Sequence, residues 1–131
     1  MSKLSIPILY MGFIFMLSSI SGDTSNPENI LESTFLWITP NLQNLLHIPL
    51  FFGLALAWVY SLKRYISRRY SHIFTAFFFT VLYGVIDEYH QISVPGRYAS
   101  MSDVALDTLG ASLVFIIPLY QRLMRKKLKT N

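Results

Sequence analysis

Four long apolar blocks, almost free of charge, constrain the fold of this 131-residue chain more than any other feature. The blocks are Leu4–Ile20, Leu45–Leu62, Ile73–Ile86 and Val104–Tyr120, and Asp107 is the only acidic or basic residue among lysine, arginine, aspartate and glutamate within them. A bilayer core is about 30 Å thick, and a helix needs roughly 20 apolar residues to cross it. We therefore predict an all-α polytopic membrane protein, a four-transmembrane-helix bundle with spans near residues 4–21, 45–62, 73–90 and 103–121.

Composition favours the same prediction. Hydrophobic residues make up 53% of the chain and charged residues 14%, which is few for the surface of a soluble domain. The length predicts one domain, covering residues 1–131. The chain has no cysteine, which excludes disulfides, thiolate nucleophiles and zinc–sulfur sites.

Basic and acidic residues gather at opposite ends of the predicted spans. Ten of the eleven basic residues lie at one set of ends: Lys3, Lys63, Arg64, Arg68, Arg69, Arg122, Arg125, Lys126, Lys127 and Lys129. All seven acids lie at or near the other: Asp23, Glu28, Glu32, Asp87, Glu88, Asp103 and Asp107. Cytoplasmic loops hold the excess of Lys and Arg, so we expect both termini in the cytoplasm. This distribution indicates the lipid bilayer, and no nucleic acid, as partner.

The first block and the segment after it each have two interpretations. Lys3, the apolar run, Ser19 and Ser21 are compatible with a cleavable signal peptide, which leaves three spans in the same orientation. We favour a retained helix, because the run is long and the cleavage pattern weak. The stretch Asn26–Glu28 resembles a helix start. We expect a short outward-facing amphipathic helix there, or a loop that caps the bundle.

Helical spacing places the polar residues of the last two spans on shared faces. One stripe contains Thr80, Tyr83, Gly84, Asp87 and Gln91, with His90 beside it; the other contains Asp103, Asp107, Gly110 and Ala111. A carboxylate in hydrocarbon is costly, so we expect Asp107 to face the bundle interior or water. Small residues on its face are typical of helix contacts. Ser102 is placed to cap the last helix, with Asp103 in the first turn.

His47 lies at the same end of the second span, so three chain segments bring polar groups to one level. We predict an outward-facing polar pocket whose ligand-binding residues are His47, Asp87, Glu88, Gln91, Arg97, Asp103 and Asp107. The four acids and Arg97 leave a net charge of −3 when both histidines are neutral. Protonated acids, cationic histidines or a divalent metal ion would each relieve that charge. The metal-ligand candidates are Asp87, His90, Asp103 and Asp107.

Structural alternatives stand beside these predictions. Asp103 is also suited to start a helix, Asp107 to be a hydrogen-bonded structural acid, and His47 to sit at the membrane interface. Glu88 projects about 100° from Asp87 on a helix. It therefore has pairing with Arg97, or with water, as an alternative role.

The stretches "HIPLFFGLALAW" and "YGVIDEYHQISVPGRYASMSDVALDTLGA" together resemble the VanZ-like family, named for a teicoplanin-resistance protein. The resemblance covers roughly Leu45 to Phe115 and rests on the combination of DE-x-x-Q, PGR and D-x-x-x-D-x-x-G. The family pattern maps onto His47, Asp87, Glu88, Gln91, Arg97, Asp103, Asp107 and Gly110. The resemblance implies a small single-domain, multi-pass protein of the bacterial inner membrane and cell envelope. It also implies an association with resistance to glycopeptide antibiotics of the teicoplanin type.

Three functions fit these residues. In the first, the pocket binds an envelope lipid, a glycan precursor or a glycopeptide antibiotic, and Arg97 contacts an anionic group. In the second, a metal-dependent membrane enzyme acts on lipid-linked cell-wall or polysaccharide precursors. Asp107 or Glu88 is then the general base and His90 or His47 the proton carrier, and a divalent metal offsets the acids that would repel a phosphate. In the third, the charges form a purely structural network within the bundle.

Overall fold

The computed structural model describes residues 3–21, 40–68 and 70–127, without the side chains of 40–44 and 123–127. Its helices are α1 (Ser5–Ser18), α2 (Pro40–Leu62), α3 (Ser71–Gln91), α4 (Met101–Ser112) and α5 (Ile116–Lys127). No strand occurs in the described ranges, so the all-α prediction is confirmed for them. The amphipathic helix expected after the first span falls on residues 22–39, outside the described residues.

Two helix starts differ from the sequence predictions. Helix α2 begins at Pro40 rather than near Leu45, and proline suits a first helical position because the missing N–H has no intrahelical acceptor there. Helix α4 is capped by Ser100, whose side chain accepts a hydrogen bond from the Ser102 backbone N–H. The expected Ser102 cap is therefore wrong by two residues. Asp103 lies in the first turn, as predicted.

Helices α4 and α5 form one helical path that tightens into a 3₁₀ turn at Leu113–Phe115. Pro118 follows this turn and has no backbone N–H for the carbonyl of Val114, four residues earlier. A 3₁₀ turn changes the hydrogen-bond partners of such carbonyls. The proline therefore gives a physical reason for the break between α4 and α5.

The described helices place two kinds of residues at opposite ends of the bundle. At one end, Ser18 of α1 contacts Asp87 of α3. At the other, Ser61 of α2 donates a hydrogen bond to the backbone oxygen of Lys3 at 2.7 Å. We call these the acidic end, which also holds Glu88, Arg97, Asp103 and Asp107, and the basic end, which also holds Lys63, Arg64 and Arg68. The segment from Lys3 to the end of helix α1 therefore runs the whole distance between the two ends.

Apolar packing fills the middle of the bundle in two clusters. One cluster joins α1, α2 and α3 through Ile14, Phe51, Leu54 and Tyr83. The other joins α2, α3 and the α4–α5 path through Ala55, Ile73, Ala111 and Val114. Where α4 crosses α2, Gly110 lies so close to Ile48 that a Cβ atom would be 3.0 Å from the Ile48 Cα and still closer to its carbonyl oxygen. The small residue is what permits this approach.

The surface of the described chain is apolar, and much of its polar content is inside. Large exposed apolar side chains occur on all the helices described, among them Leu9, Met16, Phe74, Phe78, Leu109 and Leu119. The buried polar residues are Ser18, Ser61, Thr80, Asp87, Glu88, Gln91, Asp103 and Asp107. Soluble monomers rarely expose large contiguous apolar areas, so this pattern is typical of a surface that faces lipid.

Within the described ranges, two helical segments are long and apolar enough to cross a membrane, namely Leu45–Leu62 and Met101–Arg122. Helix α1 is apolar but has 14 residues, about 21 Å at 1.5 Å per residue. The last two turns of α3 carry Asp87, Glu88 and His90. Length and composition thus support two spans, and the predicted four-span bundle remains a prediction.

Candidate functional site

Asp87 occupies the centre of the acidic end, where α1 meets α3. Its side chain is 2% exposed. The Ser18 hydroxyl donates a hydrogen bond to Oδ1 at 2.7 Å, and the Gln91 amide donates one to Oδ2 at 3.0 Å. Gln91 reaches Asp87 because residues four apart share a helix face. Both oxygens of this buried carboxylate therefore have a donor.

Glu88 is also buried, at 4% exposed, and is held by the loop that precedes α4. The Ser100 backbone N–H donates a hydrogen bond to Oε2 at 2.8 Å, and the Gln91 amide contacts Oε1 at 3.3 Å. The predicted alternative for Glu88 was a pairing with Arg97. Among the described residues Arg97 forms no salt bridge, and a backbone amide takes the position expected for it.

His47 of α2 and Asp107 of α4 meet across the helix interface. The His47 Nδ1 and Asp107 Oδ1 atoms are 2.8 Å apart and share a hydrogen bond. Asp107 is 1% exposed, and its other oxygen, Oδ2, is buried without a hydrogen-bond partner among the described residues. Oδ2 faces α3 at Gly84, where an added Cβ would be 2.9 Å from it. Asp107 therefore faces the bundle interior, as its spacing predicted.

Arg97 and Asp103 complete the charged groups of the acidic end. The Arg97 Nε donates a hydrogen bond to the backbone oxygen of Ile20 at 3.0 Å, which ties the loop after α3 to the end of α1. Burial lowers the pKa of the Arg97 guanidinium below its usual value, and the nearby acids oppose this effect. Asp103 is 9% exposed, and its Oδ1 has no hydrogen-bond partner in the described part of the chain.

A cavity of about 90 Å³ lies between α1, α2, α3 and the start of α4. Its polar wall is formed by Ser18, His47, Asp87, Gln91, Arg97 and Asp103, and its apolar wall by Ile14, Leu17, Leu46, Leu50 and Phe51. Five of the seven predicted ligand-binding residues therefore line one cavity. The other two, Glu88 and Asp107, lie next to it through their contacts with Gln91 and His47.

The VanZ/LLP1 family model matches residues 4–123. The chain belongs to the VanZ/LLP1 family. The match includes every residue of the acidic end described above, and it extends the predicted resemblance at both ends. Family membership supports a membrane-associated protein and a VanZ-like function. No match was found to a curated protein or to a solved structure.

His90 is the predicted site residue of this VanZ/LLP1 chain that lies apart from the cavity. Its ring stacks on Phe15 with centroids 4.2 Å apart, and its Nε2 is 2.9 Å from the Ser19 hydroxyl. The grouping of potential metal-ligating atoms found among the described residues contains His47, Glu88 and Asp107. It shares only Asp107 with the four metal-ligand candidates predicted from the sequence.

Sequence reasoning missed two residues that hold the acids in place. Ser18 binds Asp87 and is itself 6% exposed, and Ser100 binds Glu88 through its backbone. A serine inside the apolar run of α1 was a usable signal, because a buried hydroxyl needs a partner. The contact of the Ser100 N–H carried no signal in the sequence, since any residue other than proline supplies that donor.

Proposed function

We propose that this VanZ/LLP1 protein spans the bacterial inner membrane four times, as one domain with both termini in the cytoplasm. Two features support four spans over two. The segment from Lys3 at the basic end through helix α1 to Ser18 at the acidic end runs alongside the long helix α2. Helix α3 makes the same passage between Ser71 and Gln91. A local shortage of apolar length in α1 is tolerated when the bilayer thins or flanking residues reach the interface.

In this orientation the acidic end faces the cell envelope, and the cavity there binds a lipid-like ligand or envelope component. The observation that carries this proposal is the pairing of a polar wall with an apolar wall in one cavity. The apolar wall, with Leu17 and Leu46, suits an alkyl chain. On the polar wall, Arg97 has no salt bridge among the described residues and suits an anionic group. Asp87 and Asp103 suit donors such as hydroxyls or amines.

Cavity volume limits which part of the ligand enters. The cavity volume of about 90 Å³ is well below the roughly 300–1,000 Å³ of pockets that enclose a drug-sized ligand, so the cavity holds only a small group. A whole glycopeptide antibiotic is far larger. The ligand is therefore an amphiphile that inserts a headgroup or a short piece of acyl chain, while its remainder stays outside the protein. Teicoplanin carries such a chain, which is why we connect the cavity with resistance of that type.

A binding experiment tests the cavity directly. Native mass spectrometry of the full chain in mild detergent compares wild type, Arg97→Gln and Arg64→Gln. We expect a bound amphiphile on wild type and on Arg64→Gln, since Arg64 is exposed at the basic end. Arg97→Gln, which removes the cation of the cavity, should lose it. Identical spectra for the three proteins would overturn the proposed role of the cavity.

A second experiment tests the link to antibiotics. Wild type, Asp107→Asn and an empty vector are expressed in a susceptible bacterium, and membrane levels are measured by immunoblot. We expect wild type to raise teicoplanin resistance more than vancomycin resistance, and Asp107→Asn to lose this effect at equal membrane level. Equal sensitivity in all three strains would remove the antibiotic link. A variant that fails to accumulate would instead favour the structural network over the binding function.

The metal-dependent enzyme is the second candidate function. A phosphate-bearing substrate would approach four acids and one arginine, so catalysis requires a divalent cation in this site. The grouping of His47, Glu88 and Asp107 is the specific observation in its favour. Hydrolysis or transfer on a lipid-linked diphosphate, measured with and without added metal, would decide between an enzyme and a binding protein.

A further inference from the structure

We propose that His47, Glu88 and Asp107 form a binding site for a divalent first-row transition-metal ion. Each of the three residues offers one ligand atom, and these atoms lie within 4.8 Å of one another. The residues come from α2, α3 and α4, so the site would join three helices. This inference is independent of which amphiphile the neighbouring cavity binds.

The distances suit a metal after small side-chain movements. A zinc ion binds nitrogen and oxygen ligands at about 2.0–2.2 Å. Neighbouring ligands of an octahedral or tetrahedral ion are then about 3–3.5 Å apart, and opposite octahedral ligands a little over 4 Å. The His47 and Asp107 side chains already meet through a hydrogen bond, with Nδ1 and Oδ1 2.8 Å apart. The largest separation in the group, at most 4.8 Å, is within about 1 Å of the spacing of opposite octahedral ligands and within about 2 Å of that of neighbouring ligands.

Asp107 supplies an independent sign that a cation belongs here. Its side chain is 1% exposed, yet its Oδ2 has no hydrogen-bond partner among the described residues. Oδ2 faces α3 at Gly84, and Glu88 lies one turn further along the same helix face. A buried polar atom without a partner costs free energy. A metal ion between Asp107 and Glu88 would coordinate this oxygen, which has no hydrogen-bond partner among the described residues.

The surrounding residues hold the two other ligands in place. Ser100 and Gln91 both donate hydrogen bonds to Glu88, and each Glu88 oxygen keeps a lone pair for a metal. The ring of His47 lies parallel to that of Phe51, with centroids 6.1 Å apart. Hydrogen-bond partners such as Ser100 and Gln91 orient metal ligands, and removing such partners weakens metal affinity about 10–100-fold.

The ligand types select the metal. An imidazole with two carboxylates suits Zn²⁺ or Mn²⁺, whereas Ca²⁺ and Mg²⁺ prefer oxygen ligands alone. The net charge also favours a divalent cation, because a dication offsets much of the negative charge that Arg97 leaves uncompensated.

Isothermal titration calorimetry tests the site. The purified, metal-stripped full chain is titrated with Zn²⁺. We expect one Zn²⁺ per chain. We expect His47→Gln and Glu88→Gln each to weaken binding at least about 10-fold. Mg²⁺ should bind more weakly than Zn²⁺.

Two control variants distinguish a specific metal site from non-specific attraction of Zn²⁺ to the acidic residues. His90→Gln removes a histidine at the same end that stacks on Phe15, and it should leave Zn²⁺ affinity unchanged. Asp103→Asn removes one negative charge near the group without removing a ligand, and it should weaken binding less than Glu88→Gln. Equal losses in Asp103→Asn and Glu88→Gln, or no saturable binding by wild type, would overturn the proposal.

The metal result and the amphiphile result are distinguishable. Arg97→Gln should lose the amphiphile in mass spectrometry and keep Zn²⁺ binding in calorimetry. Circular dichroism of each variant establishes that it is folded, and His47→Gln and Glu88→Gln act on different helices. A common fold defect therefore cannot explain matching losses of Zn²⁺ affinity in two variants with wild-type spectra.

Discussion

The two ends of this VanZ/LLP1 bundle treat charge in opposite ways. At the acidic end, Asp87, Glu88 and Asp107 are between 1% and 4% exposed. At the basic end, Lys63, Arg64 and Arg68 are exposed. The buried acids contact protein donors from other parts of the chain. The exposed bases have water and lipid headgroups as their surroundings in the proposed membrane orientation.

A buried charge therefore affects stability and helix packing more than an exposed charge does. A buried carboxylate must be matched by hydrogen bonds or by a cation, so its position is coupled to the packing of several helices. An exposed lysine or arginine adjusts its long side chain and contributes little to stability. We therefore expect the fold and the site to depend on individual residues at the acidic end. At the basic end we expect the sum of the charges to matter.

The largest expected effect comes from Gly110, the contact beneath the acidic end. Gly110→Leu places side-chain atoms against the backbone of Ile48, the residue next to His47. We expect α2 and α4 to be pushed apart and the free energy of unfolding to fall by about 3 kcal/mol, the upper range for overpacking. Thermal unfolding in detergent, followed by tryptophan fluorescence, measures this change.

Gly12→Leu is the matched control for that substitution. Outside the local helix backbone, no atom of the described residues lies within 4 Å of a Cβ added at Gly12 on α1, and leucine has the higher helix propensity by roughly 0.5–1 kcal/mol. We expect a melting temperature equal to or above that of wild type. If both leucine variants lowered the melting temperature equally, the close approach of α2 and α4 would not be what positions His47 beside Asp107.

The helix faces of the acidic end were predictable from spacing alone. All members of the predicted stripe on α3, from Thr80 to Gln91, are buried, and so are the members from Asp103 to Ala111 on α4. A period of 3.6 residues decides which residues share a face. The cost of an acid in hydrocarbon decides that this face turns inward. Both arguments are local, which is why they were confirmed.

Residue roles that depend on a distant partner were not predictable in this way. Glu88 lies about 100° from Asp87 around the helix, and its burial depends on the loop that brings Ser100 over it. His90 was expected near the acids, but Phe15 and Ser19 of the α1 end contact it instead. Neither position follows from the local pattern, because each is fixed by how α1 and the loop before α4 pack on α3.

Two buried serines, one at each end, allow the hydrogen bonds of the acidic and basic ends to be compared directly. Ser18 at the acidic end donates to the carboxylate of Asp87 at 2.7 Å, and Ser61 at the basic end donates to the backbone oxygen of Lys3 at the same distance. Hydrogen bonds to charged groups contribute about 1.5–3 kcal/mol and neutral ones about 0.5–1.5 kcal/mol. We expect Ser18→Ala to destabilise the protein by about 1 kcal/mol more than Ser61→Ala, measured by thermal unfolding.

A larger loss of stability in Ser61→Ala than in Ser18→Ala would contradict this comparison. If Ser61→Ala were the more damaging change, the α1 contact at the basic end would dominate, and Asp87 would not need its serine. Because both side chains are almost fully buried, the two variants lose similar packing. The Ser18 hydroxyl also lies 3.1 Å from the backbone oxygen of Phe15, a neutral acceptor like that of Ser61, so the difference between the variants reports the carboxylate of Asp87.

The smallest expected effect on stability comes from the basic end itself. Replacing Lys63, Arg64 and Arg68 by glutamine should leave the melting temperature unchanged, since their side chains are exposed. The orientation in the membrane should change instead, because lysines and arginines in short loops set the topology. The absence of cysteine from the sequence makes a single engineered thiol easy to detect with a membrane-impermeant maleimide.

Two exposed tyrosines offer positions for that thiol, one at each end. Tyr98 is 86% exposed at the acidic end, and Tyr65 is 56% exposed at the basic end. In spheroplasts with a sealed inner membrane, we expect Tyr98→Cys to be labelled and Tyr65→Cys to be protected. In the glutamine-substituted chain we expect partial labelling at both positions. Labelling of Tyr65→Cys in the otherwise native chain would mean that the cavity opens to the cytoplasm. The link to extracellular glycopeptides would then fail, whereas the Zn²⁺ titration would keep its meaning, because the three ligands do not depend on which side of the membrane they face.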